Sequence, residues 1–166
     1  MRQTTGLLCA ALALVLTVRP GSADDREKKE PPKPELTDGE KEVLALVNKE
    51  REKAGLPPLK ANPVLCKVAR AHSANIVKQM KPDHVLDGKS FADRIKDAGY
   101  RARLSGENIG FARGNWTAQG IVNWWMGSKP HRENILNKEF TEIGVGGAQS
   151  DRGEVFFTLV FAVPAR

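Results

Sequence analysis

Ser128-Lys129-Pro130-His131-Arg132-Glu133-Asn134-Ile135-Leu136-Asn137-Lys138-Glu139-Phe140-Thr141-Glu142-Ile143-Gly144-Val145-Gly146-Gly147 is the stretch on which the reading of this chain turns. Lys129 to Leu136 reads as one or two helical turns with His131 at their start. The chain then runs directly into a glycine-spaced strand, Glu142 to Ala148. Gly144 and Gly146 leave one strand face without side chains, which permits close approach by a helix or by large groups of a second strand. That second strand is Val155 to Val163, nearly continuous in apolar residues, reached through the turn Ser150-Asp151-Arg152-Gly153. It lacks alternation because both of its faces are covered, as in a central strand between two helical layers.

Working outward, the N-terminal half reads as helices. Thr37-Asp38-Gly39-Glu40 has capping-box spacing ahead of an apolar stripe of Val43, Leu44, Leu46 and Val47, and Gly55 stops that helix. Leu56 to Leu59 is an extended connector. Asn62-Pro63 opens a second helix with proline where a missing N–H costs nothing. Leu65, Ala69, His72 and Ile76 share one face of it, and Pro82 ends it. His84 falls in the loop beyond. Ser90 to Asp93 starts a short third helix ending at Gly99, and Tyr100 to Leu104 reads as a short edge strand. A fourth helix spans about Thr117 to Met126, with Ile121, Trp124 and Trp125 turned to the core. Helices first and a hairpin last make an α+β domain with an antiparallel sheet between helical layers.

Two further segments accompany the opening stretch. One is Gly106-Glu107-Asn108-Ile109. The other is His84-Val85-Leu86-Asp87-Gly88-Lys89-Ser90, followed by Asp93-Arg94. In this order, with S-x-P-H-R-x-N-I-L-x-x-x-F-T-E-I-G-V-G closing the chain, the sequence resembles the CAP superfamily of cysteine-rich secretory proteins, antigen 5 and pathogenesis-related proteins. The form is that of the bacterial branch, and the likeness covers residues 36–166. The resemblance implies a three-layer α-β-α sandwich with a central antiparallel sheet. It also implies a cleft lined by two histidines and two acidic residues, where some members bind zinc through the histidines. His84 matches the first histidine, Glu107 the first acid and His131 the second histidine. The second acid stands three positions after a tryptophan, and three positions after Trp125 is Ser128. The site expected here is therefore His84, His131, Glu107 and Ser128, with Asn108 beside Glu107 as a further cleft-lining residue.

Composition narrows the class. The chain has 166 residues and a formal net charge of +6, a length that suits one domain. Arg2, the apolar run Leu7 to Val18 and the small residues Gly21-Ser22-Ala23 read as a secretory signal peptide over residues 1–23. No later stretch approaches the ~18 apolar residues a membrane span needs. Gly6-Leu7-Leu8 does not give Cys9 the context of a lipid anchor. Residues 24–35, charged and proline-containing, read as a flexible tether ahead of the domain. Removing residues 1–23 takes away Arg2 and Arg19 and no acidic residue, so the mature chain is mildly basic, which suits an anionic envelope partner. Zinc-finger spacing, a basic helix and interleaved aromatic and basic residues are missing, which argues against nucleic acid. Cys66 is then the one remaining cysteine, so an intramolecular disulfide is excluded and the core alone must hold the fold. It reads as a buried apolar side chain rather than a nucleophile.

The chemistry remains open between three readings. Neutral imidazoles are good zinc ligands, and His84 and His131 with a carboxylate could hold zinc weakly or reversibly. Glu107 could instead act from the outer shell, orienting a histidine or a water. Each residue also has a structural role available: Glu107 could accept backbone N–H bonds and hold its loop, His131 could cap a helix, and His84 could be solvated. His72 reads as a hydrogen-bonded core histidine, and Asn134 as a bond to backbone near Glu107. A nucleophile elbow of the G-x-S-x-G type is missing, and no catalytic residue is assigned. The expected function is a monomeric, secreted, periplasmic or envelope-surface binding module for a lipid, glycan or protein ligand. The alternatives are a metal-dependent hydrolase of a peptide or envelope polymer and a purely structural scaffold.

Overall fold

The computed structural model describes residues 34–115 and 117–165. The signal peptide read over residues 1–23 and the tether up to residue 33 lie outside the described residues. The tether's last residue, Glu35, is tied down, because its carbonyl accepts a bond from Arg70 Nη2 at 2.6 Å.

The elements in chain order are α1 (Asp38–Lys53), β1 (Lys60–Ala61), α2 (Pro63–Gln79), α3 (Phe91–Asp97), β2 (Ala102–Ala112), α4 (Ala118–Gly127), α5 (Lys129–Ile135), β3 (Glu142–Gln149) and β4 (Val155–Pro164). The sheet order is β1-β3-β4-β2. The β3–β4 and β4–β2 pairs are antiparallel, while the short β1 joins β3 in parallel. Local signals in the sequence account for the helix starts. Thr37 and Glu40 form a reciprocal capping box on α1, Ser90 and Asp93 do so on α3, and the Asn62 side chain caps α2 with Pro63 in its first turn. Helix α2 ends at Gln79, capped by Met80 in the left-handed region with φ 51°, two residues before Pro82.

Strand β4 shows why its sequence does not alternate. Val155, Phe157, Leu159 and Phe161 face α1, α4 and α5, packing with Val43, Val47, Ile121, Val122, Trp125 and Ile135. Val160 and Ala162 face the other way, onto Leu65, Val68 and Ala69 of α2 and Ile95 of α3. The result is a three-layer α-β-α sandwich. Gly144 and Gly146 decide how closely the α2 layer sits. A Cβ on Gly144 would stand 2.1 Å from the Leu65 carbonyl carbon, and one on Gly146 would stand 2.1 Å from the Arg70 nitrogen. The glycines therefore bring the backbone of α2 itself onto β3. Under the helix, the Ser73 hydroxyl donates to the Gly146 carbonyl and bonds Thr158 at 2.9 Å.

Two expectations need correction. Strand β2 is not the short 100–104 edge but runs on through Gly106-Glu107-Asn108-Ile109 to Ala112, so Glu107 sits in a strand rather than in a loop. Trp124 is 53% exposed, whereas Trp125 is fully buried and donates its indole N–H to the Ile109 carbonyl at 3.0 Å. Neighbouring helix residues point about 100° apart, so only one of the pair can face the core. Cys66 is buried as expected, and burial pushes its thiol pKa up.

Gly144→Ala or Gly146→Ala must drive α2 off the sheet. Each is expected to lower unfolding stability by on the order of 3 kcal/mol or more, or to prevent folding. Gly127→Ala in α4, where a Cβ meets nothing within 4 Å, is expected to leave stability unchanged or slightly higher. Urea unfolding curves of the three variants check this.

Candidate functional site

Strand β2 lies at one edge of the sheet, and its pleat sends adjacent residues to opposite faces. Glu107 and Ile109 point toward the α2–α3 layer, and Ile109 packs with Ile76 and Leu86. Gly106, Asn108 and Gly110 point toward α4 and α5. A Cβ at Gly110 would press on the Trp125 ring at 3.0 Å, and one at Gly106 would meet Phe140 at 3.0 Å. Two consecutive residues thus reach two different helical layers, and each layer carries one of the expected histidines.

On the first face the Glu107 side chain is wholly buried. His84 Nδ1 lies 2.8 Å from Glu107 Oε1, and Arg94 Nη2 donates to Oε2 at 2.5 Å. An ionised carboxylate only accepts, so His84 carries its proton on Nδ1, and as a neutral ring it keeps its lone pair on Nε2. Arg94 also donates to the carbonyls of His84 at 3.1 Å and Lys89 at 2.9 Å. One guanidinium therefore joins the strand, the loop carrying His84 and helix α3. His72, fully buried on α2, places Nε2 3.8 Å from Glu107 Oε1. It is the buried core histidine expected.

On the second face Asn108 Nδ2 donates to the His131 carbonyl at 2.9 Å. Asn134 Nδ2 donates to Asn108 Oδ1 at 2.9 Å and to the Glu107 carbonyl at 3.2 Å. His131 is half-buried inside α5 rather than at its cap. Its Nδ1 is buried without a partner, and its ring lies 5.0 Å from the Trp124 ring at a tilt of 39°. Ser128 caps the end of α4 and the start of α5, with no capping bond from its side chain. Arg51, buried on α1, fixes the far end of α5 by donating to the carbonyls of Ile135, Asn137 and Phe140.

The electrostatics follow from these contacts. The bond to Glu107 raises the His84 pKa above its ordinary value. Burial lowers that of His131, and the nearby His84 lowers it further. Burial likewise lowers that of His72, against the pull of Glu107. Among the described residues no group of three or more His, Cys, Asp or Glu side chains is gathered as a metal-binding set. Both Glu107 oxygens are committed, to Arg94 and to His84. Two imidazoles and a carboxylate that is already engaged fall short of the three protein ligands of a catalytic zinc.

Sequence reasoning missed the part played by Arg94 and His72. Arg94 stands in the quoted motif, but nothing in its spacing says that its side chain spans from α3 to β2. The position of His72 on the apolar face of α2 hid a neighbour that only the sheet supplies.

An α-β-α sandwich with a histidine on each side of its edge strand defines the class, and comparison with known proteins gives the family. The chain belongs to the cysteine-rich secretory protein (CAP) family, whose model matches residues 44–161. It is 43% identical over 113 residues to the protein YkwD of Bacillus subtilis, covering 67% of this chain and 43% of that one. It is 32% identical over 111 residues to the membrane protein YlbC of the same organism, covering 66% and 32%. The chain thus spans less than half the length of these relatives. An extracellular protein containing a SCP domain from Bacillus anthracis matches with a TM-score of 0.65 at 28% identity, over 74% of this chain and 39% of that one. An outer surface protein from Borrelia burgdorferi shares the fold with a TM-score of 0.72 at 21% identity, over 81% of this chain and 98% of that one. This is a CAP domain of the bacterial type, and among its described residues no helix is long and apolar enough to cross a membrane.

The chain has three histidines, so an NMR titration resolves each. His84 is expected to titrate above 6.5, and His72 and His131 below it. The raised His84 pKa contributes stability that is full below the unfolded value and fades as pH rises through the folded one. The lowered values act with the opposite sign, removing stability as pH falls below 6.5. Glu107→Gln should bring His84 back toward its ordinary value. Arg94→Ala strips a buried carboxylate of its cation and should cost on the order of 3–5 kcal/mol in urea unfolding.

Proposed function

We propose that this chain is an extracellular binding module of the bacterial cell envelope. Its ligand would lie across the β2 edge between His84 and His131. The observation that carries this reading is the pairing of Glu107 and Asn108. Glu107 orients the His84 imidazole, Asn108 holds the His131 backbone from the opposite layer, and the carboxylate behind His84 leaves Nε2 of the neutral ring as an unprotonated acceptor. Such a nitrogen takes a hydrogen bond from a ligand or binds a metal ion.

The same nitrogens are the ones that would hold zinc reversibly. When bound, zinc would supply a Lewis-acidic anchor for an oxygen of the ligand. The residues contribute the rest. Glu107 fixes the tautomer and ring orientation of His84, Arg94 holds that carboxylate in place, and Asn108 and Asn134 hold the backbone beneath His131. A hydrolase reading gains little from this arrangement. Glu107 would be its base, yet the side chain is wholly buried and both oxygens are engaged, so it is not placed to take a proton from a water in the cleft. Ser128 stands where a second carboxylate would otherwise assist. Secretion is supported by the leader-like residues 1–23 and by the mildly basic charge.

Zinc titration by calorimetry tests the reading. The wild-type chain is expected to saturate near one ion per chain at neutral pH. The His84→Ala/His131→Ala variant, still folded by circular dichroism, is expected to give no heat. Affinity should fall as pH drops through the histidine range, because protons compete for the same nitrogens. Zinc binding that survives in the double variant would remove the metal from the cleft.

A further inference from the structure

Beside the cleft, the fold exposes two aromatic rings that its core does not use. Trp125 supplies the indole that packs the core, yet Trp124 next to it is 53% exposed, and Phe111 near the end of β2 is 51% exposed. Both rings are held in place. Trp124 leans on the His131 ring, and Phe111 stacks on Phe156 with centroids 5.9 Å apart and an interplanar angle of 25°. Together they line a concavity of about 270 Å³, whose other walls include Arg113, Asn115, Thr117 and Ile121.

We propose that this concavity is a saccharide subsite, taking one residue of a β-linked hexopyranose chain that continues past Trp124 to His131. The inference rests on reading the cleft as a binding site. A β-linked pyranose offers a flat C–H face to an aromatic ring and equatorial hydroxyls around its rim. The walls match that division, with two rings for the face and an amide, a hydroxyl and a guanidinium for the rim. Thr117 Oγ1 accepts the Gly120 N–H at 3.0 Å, which leaves its O–H free to donate. Arg113 is steadied by Glu154 at 2.7 Å. Rings already ordered by Phe156 and His131 lose little freedom on binding.

Other occupants fit less well. An acyl chain prefers walls that are apolar throughout, and three of the eight lining residues, Arg113, Asn115 and Thr117, are polar. A peptide strand added to β2 would need the outward carbonyls of that edge. Those of Glu107 and Ile109 are already taken by Asn134 and Trp125.

Chitotetraose and cellotetraose, titrated into the full chain by calorimetry and followed by tryptophan fluorescence, test the proposal. Saturable binding is expected for at least one of them. Trp124→Ala and Phe111→Ala should each weaken it by roughly 3- to 10-fold, and Trp124→Phe by less, because a ring is retained. Both side chains are half-exposed, so these variants should keep the wild-type unfolding curve. No binding of either sugar, or binding indifferent to the Trp124→Ala/Phe111→Ala pair, overturns the subsite. Laurate binding in place of sugar, lost in the same pair, would overturn it in favour of an acyl chain. Zinc binding that depends on His84 and His131 is measured separately, so the sugar subsite can fail while the cleft reading stands.

Discussion

A carboxylate with no access to water governs this site. Burying Glu107 is costly unless its charge is met, and Arg94 and His84 meet it, one on each oxygen. Arg94 then carries the constraint outward, since its guanidinium also holds the carbonyls of His84 and Lys89. The loop that presents His84 is therefore fastened to the sheet through a charge that cannot be left alone. His72, 3.8 Å from the same carboxylate, closes the inner side. His84 is free to act outward because every other group around Glu107 faces inward.

The edge position of β2 lets groups from both helical layers reach the strand. A central strand would have a neighbour on each side and no room for helices to reach its carbonyls. Here Asn134 and Trp125 take the carbonyls that a further strand would use, which also blunts the edge against pairing with other chains. The glycines flanking Glu107 let the second layer close in, with Trp125 over Gly110 and Phe140 over Gly106. On the far side Arg51 fixes the end of α5. His131 thus sits on a helix fixed at its far end, and His84 on a loop tied down through Arg94.

Much of the fold was legible where the physics is local. Thr37, Asn62 and Ser90 announce helix starts, because a side-chain oxygen there satisfies backbone N–H groups that nothing else reaches. Gly144 and Gly146 announced a close neighbour without saying which, and the neighbour is α2. The apolar run of β4 told that both its faces are covered. What escaped depended on distant partners. Ser105, Glu107 and Asn108 with two glycines do not look like a strand, because the polar side chains of Glu107 and Asn108 are satisfied by Arg94, His84, His131 and Asn134 from other parts of the chain. Trp124 reads as core on helical spacing, yet Trp125 alone fits over Gly110. His84, Glu107 and His131 are found through motifs, and Arg94 stands in one as well, but nothing local says that its side chain ties His84 to Glu107.

Amide hydrogen exchange across residues 80–90, compared between the wild type and Glu107→Gln, tests the central claim most directly. If the buried charge fastens the loop, the amides around His84 should exchange faster in the variant, by roughly 10-fold or more for each ~1.4 kcal/mol of lost tethering, while those of β3 and β4 keep their protection. Unchanged exchange in that loop, with the variant folded, would show that Glu107 does not hold it and would contradict the account.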